Sequence, residues 1–283
     1  MPSYRDKVTH ARLFEVDVQP TDTTVIRLAG KSGTEGASTF GNPFMGPRLW
    51  DRMALMIGYS ANAGSHTVRL YGTVNGTTYP IAHRISADET GYHPMDILTH
   101  TPYMPAPQFI EIDETANGDI SLTVDAVGKS YRGFYPARAK GGDRSIEGAL
   151  LGQTIVTVSA THNLSSNPAA AAGGASGAAF RGLDKIYMWD AACFYYETIA
   201  TTSGSWTVSL VSKINGTTVV VSKATGINGA TKGAFQNQFY GAVPAPTAII
   251  FTEDSAGTWT GKIDFIAKAG RGQKFGTASR GLI

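Results

Sequence analysis

The chain has 283 residues, 42% of them hydrophobic and only 16% charged, with a net charge of +2. That length suits two domains of ordinary size. A balance this close to neutral excludes a global field that would draw in nucleic acid or an acidic membrane, and so little charge fits a protein that spends much of its surface on neighbours.

A single cysteine, Cys193, excludes a disulfide within the chain. The first seven residues lack the apolar stretch of a signal peptide, and no apolar run approaches the roughly 20 residues of a membrane helix. These features lead us to expect a soluble protein made in a cytoplasm. The 33 glycines, the many Thr, Val, Ile and Tyr residues and the lack of long Leu/Glu/Lys stretches predict an all-β chain.

In chain order, residues 1–12 carry Arg5, Lys7, His10 and Arg12 and read as an N-terminal arm. Leu13 to Val18 alternates as a strand ended by Pro20, and Thr24 to Leu28 is a second strand. A glycine-rich loop from Gly30 to Gly46 follows. Trp50 to Tyr59 is almost continuously apolar, as expected of a strand buried on both faces. Thr67 to Leu70 then leads through Asn75-Gly76-Thr77-Thr78 into a second apolar run. Asn-Gly supplies the two positive-φ residues of a tight hairpin. Residues 86–104, rich in Asp, Thr, His and Pro, read as a long loop of the kind that is functional or held by a partner. Phe109 to Ile112 and Ile120 to Val124 form a further hairpin around Asn117-Gly118.

The second half repeats this order. Asn215-Gly216-Thr217-Thr218 answers the first hairpin 140 positions on, and Trp189-Asp190 answers Trp50-Asp51 at 139. Thr154 to Val158 is matched to Thr24 to Leu28, Cys193 to Tyr196 to Ala54 to Ile57, and Val243-Pro244-Ala245-Pro246 to Met104-Pro105-Ala106-Pro107. Chance would not keep order and spacing over more than a hundred residues, so we read an internal duplication. The expected organisation is an arm (1–12), a β-sandwich domain (13–140), a second (141–267) and a basic, glycine-rich C-terminal arm (268–283). An alanine-glycine insertion at 168–177 sets the second copy apart.

Catalytic chemistry is sparse. Neither a Gly-x-Ser-x-Gly elbow nor a His-Glu-x-x-His is present, and Gly30-Lys31-Ser32 lacks the upstream glycine of a P-loop. His83, His93 and His100 fall near Asp88, Glu89 and Asp96, but their spacing matches no zinc pattern, and the matching stretch 226–240 has no histidine. Solvated loop histidines are the simpler reading. Asp113, Glu114 and Asp119 read as ordinary polar residues beside a turn, and the Asn75 and Asn215 sequons as turn chemistry. Cys193 reads as a buried core residue, and Trp50 and Trp189 as core packing in preference to a sugar-stacking platform. We expect no enzyme activity, cofactor or metal.

Thr23-Thr24-Val25-Ile26-Arg27-Leu28, the glycine-rich loop, the apolar strand and the strand pair are followed by Met104-Pro105-Ala106-Pro107-Gln108-Phe109-Ile110-Glu111-Ile112 and a closing hairpin, Gly118 to Val124. This order resembles the capsid cement (head decoration) proteins of tailed bacteriophages. They show a Thr-x-Val-Ile-x-Leu start, a late Leu-Pro-x-Pro strand and a hairpin after a turn glycine. This chain departs in being two such units fused and in carrying Phe109-Ile110-Glu111 where the family often has an aromatic-aliphatic-Arg triplet. The resemblance implies two tandem jelly-roll-like β-sandwich domains on the outside of a virion head, bridging capsomers, and it carries over no catalytic residues. The expected partners are a major capsid protein and copies of the chain itself, with no nucleic acid and no membrane, in a virion assembled within a host bacterium. Candidate partner contacts are Arg5, Lys7, Arg12, Tyr92, His93, Tyr103, Phe239, Tyr240, Lys268, Arg271, Lys274 and Arg280. The alternatives are a double jelly-roll major capsid protein and a carbohydrate- or receptor-binding tail module using Tyr92, Tyr103, Phe239 and Tyr240.

Overall fold

The structure, a computed structural model, describes residues 7–18, 24–27, 49–50, 52–114, 120–130, 145–164 and 188–268. Its regular elements among these residues are all β-strands. The chain divides into two compact units, Met1–Gly141 and Gly142–Ile283.

Unit 1 contains β1 (Lys7–Val18), β2 (Thr24–Arg27), β3 (Leu49–Trp50), β4 (Arg52–Asn62), β5 (Ser65–Val74), β6 (Thr77–Ala87), β7 (Gly91–Pro94), β8 (Asp96–Ile97), β9 (Met104–Pro105), β10 (Pro107–Glu114) and β11 (Ile120–Ser130). One sheet runs β1-β11-β4-β7 and the other β2-β10-β5-β6-β8. Setting aside the two-residue strands β3, β8 and β9 leaves eight main strands. The first pairs with the eighth, the second with the seventh, the third with the sixth and the fourth with the fifth, all antiparallel. This nesting is the strand order of a jelly roll, a double-sheet architecture.

Unit 2 contains β12 (Ser145–Val156), β13 (Ala160–Asn163), β14 (Met188–Trp189), β15 (Ala191–Thr201), β16 (Trp206–Ile214), β17 (Thr217–Ile227), β18 (Thr231–Ala234), β19 (Gln236–Asn237), β20 (Val243–Pro244), β21 (Ala248–Glu253) and β22 (Trp259–Lys268). Its sheets run β12-β22-β15-β18 and β13-β21-β16-β17-β19. Strand for strand, this is the order of unit 1.

The sequence pattern explains the strands. In β5, His66, Val68, Leu70 and Val74 point into the sandwich, and Thr67, Arg69, Tyr71 and Thr73 point out. That period-2 alternation is what a sheet with one covered face requires. The Asn-Gly turns are formed as expected: φ is +50° at Asn75 and +75° at Gly76, and +49° at Asn215 and +80° at Gly216. Trp50 and Trp189 are buried on the short strands β3 and β14, consistent with core packing.

The two cores are filled differently. Trp189 stacks on Phe265 with ring centroids 5.5 Å apart, and Phe251 lies 5.0 Å from Trp259. Trp259 Nε1 donates to Thr198 Oγ1 at 2.9 Å. Unit 1 carries smaller residues at the matching register positions. His66 stands opposite Glu114 where Trp206 stands opposite Glu253, and Ile112 and Ile120 replace Phe251 and Trp259.

Several expectations need correction. The arm at 1–12 is strand from Lys7 onward, because its backbone pairs with β11 from Lys7 opposite Ser130 to Val18 opposite Ile120. Polar and basic residues are what an edge strand carries. The expected loop at 86–104 holds β7, β8 and β9. These strands are two to four residues long, too short to show a period in sequence. β2 is answered by β13, which pairs with β21 as β2 pairs with β10, so Thr154 to Val158 is the wrong match. Finally, β4 is covered on one face only, with Arg52, Ala54 and Ser60 exposed. Its apolar run misled because Ala54 and Met56 are apolar residues on the outer face.

Candidate interaction surface

The outer face of the β1-β11-β4-β7 sheet in unit 1 brings together residues far apart in sequence. Register places Glu15, Thr123, Gly58 and Tyr92 in one row across the sheet, and Arg12, Asp125, Met56 and Pro94 in the next. Val127 and Ala54 follow. Arg12 Nε donates to Asp125 Oδ1 at 3.1 Å, and Arg12 Nη1 lies 3.7 Å from Glu15. The hydrogen bond to Asp125, with its charge, holds the Arg12 guanidinium above its ordinary pKa. Gly58 lets Tyr92 lie against the sheet, since a Cβ there would stand 2.6 Å from the Tyr92 ring. Tyr92 remains 65% exposed and Val127 46%, and Ala54 is exposed beside them. The face is therefore an apolar strip bordered by an ion pair.

The matching face of unit 2 is closed. Cys193 and Ile266 occupy the Ala54 and Val127 positions, and Tyr195 and Asp264 those of Met56 and Asp125. All four are fully buried. Beyond them Glu197 stands between two lysines, 3.1 Å from Lys232 Nζ and 3.2 Å from Lys262 Nζ. Burial pushes Glu197 up, but the hydrogen bonds and charge of Lys232 and Lys262 outweigh it, so its carboxyl lies below the usual range.

The other sheet of unit 1 carries a polar network on its outer face. Arg69 Nη1 donates to Glu111 Oε1 at 3.1 Å and to Asp113 Oδ2 at 3.2 Å. Tyr71 donates to the same Glu111 oxygen at 2.9 Å and stacks on Phe109 at 4.7 Å. Burial, then the Glu111 hydrogen bond, raises the Tyr71 phenol well above its ordinary value. Unit 2 places Ser209, Val211, Ala248, Ile250 and Thr252 at the equivalent positions. Arg69, bound to two carboxylates, and Tyr71, stacked and hydrogen-bonded, are committed within the sheet, so the network holds structure and leaves no free acid or base.

The expected contact residues fall in several places. Arg12 and Tyr92 meet on the open face of unit 1. Lys7 is the first residue of β1, opposite Ser130. His93 lies on β7 with its Nε2 3.0 Å from the Thr90 carbonyl. Tyr240 is 71% exposed in unit 2, and Phe239 beside it is half-buried. Two expectations are corrected. Tyr103 is 7% exposed and belongs to the core, and Lys268 is 4% exposed at the end of β22, opposite Ser145 and Ala191, and not in an arm. Arg5, Arg271, Lys274 and Arg280 lie outside the described residues, as does the insertion at 168–177. The sequence reading missed Ala54, Met56, Asp125 and Val127. A signal was present: at the matched positions Ala54/Cys193 and Val127/Ile266, unit 1 carries the less bulky residue.

Cys193 is buried, as expected. Among the described residues no group of three or more His, Cys, Asp or Glu side chains could hold a metal ion. His83 stands opposite Asp96, His93 is on β7, and His100 is an exposed turn residue with φ +55°. No helix among the described residues is long and apolar enough to cross a membrane.

No family model matches this sequence, and no curated protein matches it. Among solved structures, the PBSX exported protein XepA aligns at 10% identity and a TM-score of 0.26, over 92% of this chain and 86% of its own. The VP2 subviral particle of infectious bursal disease virus aligns at 10% identity and 0.27, over 96% and 74%. The tandem CBM22 domains of Paenibacillus barcinonensis Xyn10C align at 10% and 0.22, over 95% and 100%. TM-scores this low carry no argument about this chain, and the jelly-roll description rests on its own strand order.

Proposed function

We propose that the chain is a virion structural protein of the decoration, or cement, type, which attaches to the outer surface of an assembled head shell and bridges its capsomers. One observation carries the reading. Two jelly rolls with the same strand order stand in one chain, and their outward faces differ: the same sheet face is open in unit 1 and closed in unit 2. Tandem duplication is the simplest origin of such a pair. Jelly rolls serve as capsid and lectin domains, and the Arg69 network offers no reactive group. The mechanism is mass action. A protein that binds the assembled shell and not its separated subunits shifts the equilibrium toward the shell. Its partners are a major capsid protein and copies of itself.

The test is co-sedimentation of the purified protein with undecorated heads of its source particle. The expected result is saturable binding and a higher temperature of shell disruption. Heads that neither retain the protein nor gain heat resistance overturn the reading. The tandem jelly roll also favours a second reading, a double jelly-roll major capsid protein. Such a chain would assemble closed shells by itself and make up most of the particle mass. The sugar-binding alternative is weakened by the burial of Tyr103, and a glycan array without hits removes it.

A further inference from the structure

A set of polar side chains is buried between the two sheets of unit 1. Asn62, the last residue of β4, donates through Nδ2 to Ser86 Oγ on β6 at 3.3 Å, a bond that crosses from one sheet to the other. Ser86, Tyr59 and His66 are buried, and His66 is the cross-strand partner of Ser86. Burial raises the Tyr59 phenol pKa; the Ser86 hydroxyl and Arg84 act in the opposite sense, so both lie near the phenol, although Ser86 closes no hydrogen bond with it. Four polar atoms of this cluster have no hydrogen-bond partner: both ring nitrogens of His66, Asn62 Oδ1 and the Tyr59 hydroxyl. Polar groups buried in this way are ordinarily completed by a protein partner or by ordered water. The cluster has a polar rim. β6 and β7 belong to opposite sheets, and Glu89 lies between them in the chain. Arg84 pairs with buried Val68 and His93 with buried Ile57. Cross-strand partners share a face, so both side chains face the gap between the sheets. Arg84 Nη2 donates to both Glu89 oxygens at 2.8 Å, and His93 Nε2 lies 3.9 Å from Glu89. The His93 ring is 6.1 Å from the Tyr59 ring. All three rim side chains are half-buried.

Unit 2 has the same strands here without these polar groups. Register sets Trp206, Ile227, Ala224 and Gly233 where unit 1 has His66, Ser86, Arg84 and His93. The Tyr196 ring lies against Gly233, in the space a side chain would need. Thr198 stands at the Tyr59 position, and its hydroxyl already accepts from Trp259 Nε1. Trp206 Nε1 is buried without a partner, but one donor offers a water a single bond where it ordinarily makes about three. Unit 1 is also the roomier. His66, Ser86, Ile112 and Ile120 replace Trp206, Ile227, Phe251 and Trp259, and Tyr59 in place of Thr198 returns only part of that volume.

We propose that the inter-sheet cluster of unit 1 is a binding site for ordered water, entered beneath Arg84, Glu89 and His93, in which water bridges His66, Asn62 and Tyr59 around Ser86. Water matches the mixture of atoms. Asn62 Oδ1 accepts, an imidazole offers one donor and one acceptor nitrogen, and a phenol hydroxyl does either. An apolar ligand would leave all of them unpaired, and a metal ion would leave the donors unpaired.

The site belongs to unit 1 alone and is independent of attachment to a shell. The experiment is oxygen-17 relaxation dispersion of water in solutions of the full chain, which counts the water molecules held for longer than the protein takes to tumble. The wild type is expected to hold at least one more such water per chain than the double variant His66→Trp with Ser86→Ile, which installs the unit 2 residues. Waters elsewhere in the chain cancel in that difference, and an unchanged far-ultraviolet spectrum shows that the variant is folded. A second readout needs no variant. In a wild-type chain labelled with nitrogen-15 histidine, at mildly alkaline pH, the acceptor ring nitrogen of His66 should resonate upfield of a free imidazole nitrogen, as a hydrogen bond requires. Since no protein group reaches that ring, the bond would come from water. Equal dispersion from the wild type and the folded variant, or an acceptor nitrogen at the shift of an unbonded imidazole, overturns the proposal.

Discussion

Gly261 has no room for a methyl group. A Cβ at that position would press on the Glu197 carbonyl of the neighbouring strand and on the Trp259 ring. Backbone in the middle of a sheet yields poorly, so Gly261→Ala should destabilise unit 2 by about 1–3 kcal/mol. At Gly58 the nearest obstacle is the Tyr92 ring, an exposed side chain that can swing away. Gly58→Ala should cost less than half as much in the same chemical denaturation experiment, and equal losses would show that Tyr92 is held more firmly than its exposure implies. His162 makes a pH argument. It packs edge-on against Phe251 at 5.3 Å, and burial lowers its pKa. The folded state then binds fewer protons than the unfolded state between the depressed value and about 6.5. This contribution to stability is complete above about pH 6.5 and is lost as pH falls through that window. His162→Phe should flatten the slope of unfolding free energy against pH between 5 and 7, and an unchanged slope would assign the dependence to another group.

The two Asn-Gly hairpins join β5 to β6 and β16 to β17, and their geometry is almost the same in both units. Nothing lies within 4 Å of a Cβ added at Gly76 or Gly216, so a substitution there is penalised by backbone conformation alone. Gly216→Ala should therefore cost about 1 kcal/mol, with Gly76→Ala matching it within a few tenths. A much larger loss would mean that the turn touches something. These hairpins, the paired tryptophans and the alternation of β5 were legible because each rule is local: a φ sign, a period, a spacing. β7 and β18 were not, since four residues show no period and their strand state comes from the neighbours β4 and β15. Tyr92 and Tyr103 show the limit at the level of a site. Both sit in the stretch that read as a loop, yet one lies on the sheet surface and the other in the core. That outcome depends on which strand each follows, which the sequence of the stretch does not state. Arg12 and Asp125 are 113 positions apart, and only the pairing of β1 with β11 makes them neighbours.

Across the whole chain, charge is scarce and nearly balanced, and on the open face of unit 1 Arg12 is already paired with Asp125 and Glu15. Attachment through such surfaces should be nearly indifferent to ionic strength. Raising salt from about 0.1 to about 1 M shortens the screening length from roughly 10 to roughly 3 Å, yet head occupancy should change by no more than about twofold. A steep loss would move the binding determinant to the charged segments at the chain ends. The pairing of the first main strand with the last also has a consequence in time. β1 ends at Val18, and its partner β11 begins at Ile120, so about a hundred residues must be made before the sheet can close. At roughly 5–20 residues per second, that takes about 5–20 s on the ribosome. Throughout that interval a nascent strand waits without its ladder, and unit 2 repeats the wait between β12 and β22. The polar, basic start of β1 then has a second use, keeping an unfinished edge from pairing with the wrong strand before the right one exists.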